Sequence, residues 1–158
     1  MTAACPTTTV LPFFFIAEDV ALDFVNTLAA PAGTLVDLVD SPERFMEWLS
    51  CVPALAAMKD LAVEAERDGA LPVVLEEARR LRDWLVATLR RLKGEGAAAP
   101  GLDVAPLNRV LGAGSACWQL DERDGRLDMM LVRRYDGPLS VLVPLAEAIA
   151  ELLTRVDP

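Results

Sequence analysis

A chain of 158 residues with 53% hydrophobic side chains fits one domain that buries its core without metal or disulfide staples. Acidic residues number 24 against 15 basic, and the net charge of −9 repels phosphate backbones, which argues against direct nucleic-acid binding by this chain alone. Histidine is absent, which removes Ser-His and Cys-His nucleophile pairs and the usual zinc sites, so no enzyme, catalytic residue, metal or cofactor is expected.

Residues 1–12 are expected to form a flexible tail, with residues 13–158 a single domain. The tail has no basic residue ahead of its apolar stretch, so no secretory signal is expected in it. No run approaches the ~18 apolar residues a bilayer span needs. A cytoplasmic chain with no membrane contact is the expectation. Leu11 to Ile16 is read as an extended segment lying on the core.

The first helix is predicted from Asp19 to Ala30, stopped by Pro31-Ala-Gly33. SPERFMEWLSCV opens the second, with Ser41 placed to cap, Pro42 at the first helical position and Glu43 in the first turn. The third begins at Pro53 and ends near Gly69, and the fourth and longest runs from Pro72 to Lys93. GEGAAAPG is a loop, DVAPLNRVLGAG holds a short fifth helix, and a last helix becomes solid near Pro144. Cys5, Cys51 and Cys117 lack disulfide or metal spacing and are read as buried reduced thiols.

Residues 117–133 carry the one β signal. A type I′ turn at Asp124-Gly125 pairs Trp118 with Leu131, Leu120 with Met129 and Glu122 with Leu127. One face of that hairpin is apolar and is expected to pack on the helices. The fold class is therefore mainly α, a multi-helix domain with one β-hairpin.

Two polar anomalies stand out. On the first helix Asp23, Asn26 and Thr27 share a face, although each is a weaker helix former than the Lys, Glu or Gln suited to solvent. On the fourth, Val74, Leu75, Ala78, Leu81, Leu85, Thr88, Leu89 and Leu92 form the inward stripe, with Glu76, Arg79, Arg80, Asp83 and Arg90 turned away. Arg82 falls inside that stripe, where it must snorkel or meet an acid. Asp23 is the expected partner. Asp23, Asn26, Thr27 and Arg82 are thus the candidate ligand-binding residues, against an ordinary solvated face and a structural ion pair.

ALDFVNTL, DLVDSPERFMEWL, LRDWL, PLNRVL, the hairpin and PLAEAIAELL together resemble the bacterial ABATE family, held to be stress-induced transcription regulators. The resemblance spans residues 13–155, and LDFVNT at 22–27 is its most specific piece. It implies a mostly helical domain with a hairpin and a regulatory role. Family members usually continue into a Cys-rich, basic CGNR zinc finger. This sequence reaches Asp157-Pro158 without one, so the nucleic-acid contact such a finger supplies is not expected here.

The expected function is a non-catalytic, ligand-sensing or regulatory module of a stress-responsive transcription regulator, taking a small polar or anionic ligand. The alternative is an interaction or homodimerisation domain without a ligand, since a hairpin edge can pair with another chain. Carboxylates such as Glu64, Glu66, Asp121 and Glu122 fit solvated positions better than acid–base roles.

Overall fold

A computed structural model describes residues 12–95 and 101–155. The tail expected over residues 1–12 and the middle of the GEGAAAPG loop fall almost wholly outside them, as does Cys5. The described residues form seven helices and two small antiparallel sheets, a mainly α fold.

α1 (Val20–Val25) starts where Asp19 accepts the N–H groups of Ala21 and Leu22 at 2.9 and 3.3 Å. It is half the expected length. Asn26 closes it, and Thr27 turns its hydroxyl back to donate to the Phe24 carbonyl at 2.6 Å, competing with further helix. The chain then becomes extended: β1 (Leu28–Ala29) pairs antiparallel with β2 (Val36–Asp37), around a loop in which Gly33 takes φ +79°. That small sheet was not anticipated. Two-residue strands carry no periodic signal.

α2 (Pro42–Ser50) keeps its predicted start, with Ser41 accepting the Arg44 N–H at 3.2 Å and Pro42 in the first turn. A 3-10 turn at Pro53–Leu55 leads into α3 (Ala56–Arg67). Gly69, at φ +71°, reverses the chain into α4 (Leu71–Glu95), while Ala70 donates back to the Ala65 carbonyl at 2.8 Å. α5 (Ala105–Leu111), α6 (Pro138–Val141) and α7 (Val143–Arg155) complete the helices.

The long α4 is the axle of the packing, touching α1, α2, α3, α5 and α6. Val74, Leu75, Ala78, Leu81 and Leu85 are buried along it, as the stripe predicts. Trp48, Phe24, Phe45, Leu85, Leu145 and Ile149 anchor the core they enter. Across the domain, Arg155 of α7 reaches the capping Asp19 of α1 at 2.8 Å. The N-terminal segment leans on this body through Phe13, which packs on the core with the Arg44 guanidinium 4.1 Å from its ring centre. Phe15 and Ile16 are exposed.

Between α5 and α6 stands the hairpin, β3 (Ser115–Arg123) and β4 (Arg126–Arg134). Its register is the expected one: Trp118 faces Leu131, Leu120 faces Met129 and Glu122 faces Leu127. Asp124 and Gly125 both take positive φ, 54° and 76°, as a type I′ turn requires. Its apolar face, however, does not pack on the helices. Trp118, Leu120, Leu127, Met129 and Leu131 are 42% to 73% exposed. The expectation erred on reach. Nine-residue strands at ~3.4 Å per residue carry the face beyond the helices at its base. Cysteine burial is also corrected: Cys51 is exposed and Cys117 half-buried, both as free thiols.

Candidate functional site

Arg82 is turned inward and is 2% exposed. Its acidic partner is Asp37 of β2, not Asp23. Arg82 Nη1 donates to Asp37 Oδ1 at 2.9 Å and Nη2 to Oδ2 at 2.8 Å, a bidentate fork. Nη1 also donates to the Thr27 hydroxyl at 2.8 Å, and that hydroxyl donates onward to the Phe24 carbonyl. Thr27 thus has both capacities of its oxygen committed to the interior. The Phe24 ring lies 5.9 Å from the guanidinium carbon and adds cation–π attraction. Arg82 Nε is buried and donates to no described atom.

Asp23 instead accepts the backbone N–H groups of Ile16 and Ala17 at 3.2 and 3.1 Å, tying the N-terminal segment to α1. The shared face proposed for Asp23, Asn26 and Thr27 fails because the helix ends before Asn26. Thr27 is buried, while Asp23 and Asn26 are half-buried, and no described hydrogen bond links either to Arg82. Of the four candidates, the fold therefore unites Thr27 and Arg82 and leaves Asp23 and Asn26 elsewhere.

Two members of the network escaped the sequence. Asp37 lies in a two-residue strand without helical or strand periodicity, and its only signal is an acid within the apolar stretch LVDLV. Arg79 was expected to face solvent. Its Nε lies 3.0 Å from Asp37 Oδ2, without the alignment of a hydrogen bond, and its Nη2 donates to the Val39 carbonyl at 2.9 Å. The spacing i, i+3 on α4 puts Arg79 and Arg82 on one side, and that was the usable clue. From α2, Arg44 Nε donates to the Leu38 carbonyl at 3.2 Å. Residues 37–39 are thereby held by Arg44, Arg79 and Arg82.

Burial alone would raise the Asp37 pKa. The hydrogen bonds and charge of Arg82, the Val39 N–H and the charge of Arg79 outweigh it and hold the carboxyl below its ordinary value of 3.8. A depressed folded-state pKa means that the pair stabilises the fold fully above that ordinary value and loses its contribution as pH falls through the folded one. The native chain should therefore lose stability against an Asp37→Asn variant below about pH 4, with a constant gap at neutral pH. Denaturant titrations of both proteins from neutral to acid pH measure that gap; a gap independent of pH would remove the ionised pair from the account.

Chemically, Thr27, Asp37 and Arg82 are donors and acceptors turned toward one another, and none of the three lines a described hollow. Among the described residues no group of three or more Cys, Asp or Glu is placed to hold a metal ion, and no helix is long and apolar enough to cross a membrane. The hollow of about 290 Å³ between α1, α3 and α7 is lined by residues including Val20, Leu55, Arg133 and Glu147, and not by Arg82.

The site and fold define a helical domain knitted by an internal arginine–carboxylate network, with a hairpin projecting from it. Residues 18–156 match the model of ABATE, described as "Putative stress-induced transcription regulator", and the chain belongs to that family. No curated protein and no solved structure matches it. The segments that carry the family likeness meet in one place: LDFVNT supplies Phe24 and Thr27, DLVDSPER supplies Asp37, Leu38 and Arg44, and LRDWL supplies Arg82.

Proposed function

We propose that this chain is the non-catalytic regulatory module of a stress-responsive transcription regulator, and that it acts by protein contact rather than by enclosing a small ligand at Arg82. The observation that carries this reading is the closure of the Arg82 fork. Both terminal nitrogens are taken by Asp37 and Thr27, so a polar or anionic ligand that grips them as a fork would have to displace that carboxylate, and the remaining Nε is buried. Removing one partner of a buried pair costs about 3–5 kcal/mol, which would weaken such a ligand by roughly 100-fold or more. Arg82 is then a strut that fixes α4 against the β1–β2 segment.

A thermal-shift screen of polar and anionic metabolites on the native chain and on Thr27→Val tests this. The expected result is no compound that stabilises the native chain selectively. A compound that raises the native Tm by several degrees and loses that effect in Thr27→Val would return the function to ligand sensing at Arg82.

A further inference from the structure

We infer that the hairpin is a homodimerisation element: two copies stack their apolar faces antiparallel about a two-fold axis, tip over base. This names the partner for the protein-contact reading above and rests on it. The residues of the face, from base to tip, are the pairs Ala116 and Arg133, Trp118 and Leu131, Leu120 and Met129, then Glu122 and Leu127. The face is therefore apolar in its middle, with a basic residue at one end and an acidic one at the other.

That order is self-complementary. An isologous contact requires that residue i meet residue j and that j meet i. When a second hairpin lies antiparallel on the first, each Glu122 comes over the other copy's Ala116, one strand across from its Arg133 and within reach of two long side chains, and the Trp118 and Leu120 rows meet between them. Arg133 already pairs with Glu147 of α7, which keeps its guanidinium at the base of this face. Leu127 at the tip of one copy falls toward the hollow beside Arg133 and Pro144 of the other. Face-to-face stacking at ~10 Å is the ordinary way that sheets cover apolar faces.

Area and charge both favour a second copy. With roughly 200 Å² as the full surface of a large apolar side chain, the five exposed residues present about 600 Å² per copy. That is as large as the largest patch on a typical monomer, and two such faces reach the lower bound of a stable interface at about 1,200 Å². The chain carries −9 overall, yet over residues 115–134 four acids are balanced by four arginines. Two copies repel least where their hairpins meet.

Sedimentation equilibrium from about 1 µM to about 1 mM tests this on the native chain, on Leu120→Glu, and on Glu122→Arg and Arg133→Glu alone and mixed. Circular dichroism controls for folding. The native chain is expected to be a dimer, Leu120→Glu a folded monomer with association weakened at least about 100-fold, as a charge buried at an interface centre predicts. Glu122→Arg and Arg133→Glu should each dimerise poorly and recover when mixed, because the mixture restores opposite charges at both ends. A native chain that stays monomeric throughout, or a dimer that survives Leu120→Glu, overturns the proposal. If Arg133→Glu fails to fold, Leu120→Glu and Trp118→Glu decide. A monomeric native chain with a blank metabolite screen sinks the dimer alone. A metabolite hit lost in Thr27→Val sinks the protein-contact reading, whatever the oligomeric state.

Discussion

Replacing Asp37 by Ala is expected to destabilise the fold by about 3 kcal/mol or more, with a fall in Tm of roughly 10 °C. The loss follows from what is left behind. Arg82 would keep its charge at 2% exposure, with the Thr27 hydroxyl as its remaining described acceptor. It cannot shed that charge, because guanidinium stays protonated, and it cannot reach water without unpacking α4. Asp37 itself is 24% exposed at its side chain, so some water can approach the gap, which places the loss toward the lower end of the range for buried pairs. Asp37→Asn keeps the shape and part of the hydrogen bonding, and should cost less. An Asp37→Leu, Arg82→Met double variant should recover most of the loss, since apolar residues of similar size remove both charges together. Urea unfolding of the four proteins measures the coupling. If Asp37→Ala loses less than about 1 kcal/mol, the fork is not a strut.

How far the sequence could lead is clear from the particular residues. Elements with long repeating patterns were legible: the inward stripe of α4, the Ser41-Pro42 start of α2, and the hairpin, whose turn and alternation fixed every cross-strand pair. An inward arginine on α4 was legible too, because its angle on the helix conflicted with its charge. Its partner was not. The choice between Asp23 and Asp37 depends on where a six-residue helix stops, and that stop is made by Thr27 bonding back to Phe24. Single local hydrogen bonds of this kind compete with helix propagation by a kcal/mol or so, below what a hydrophobic pattern can report. The direction of the hairpin's apolar face was equally hidden. Alternation says which residues share a face, and only tertiary structure says what covers it.

Phe24→Ala is the substitution where these threads meet, and it should cost about 3–5 kcal/mol. Phe24 is fully buried on α1, its ring centre 5.4 Å from that of Trp48, which in turn stacks on Phe45 at 6.4 Å. Truncation would open a cavity between α1, α2 and α4 and remove the ring beside Arg82. The Phe24 carbonyl survives as acceptor for Thr27, so the network should loosen without breaking. That separation is measurable. Phe24→Leu refills most of the volume and should recover about half the loss or more, while still lacking the aromatic face toward the guanidinium. Combined with Asp37→Ala, Phe24→Ala should give a total differing from the sum by at least about 0.5 kcal/mol, because both act on the surroundings of one buried charge. Strict additivity in a double-mutant cycle would show that the core and the arginine fork hold the domain independently. Coupling would mean that the packing of α1 and the neutralisation of Arg82 form one cooperative unit.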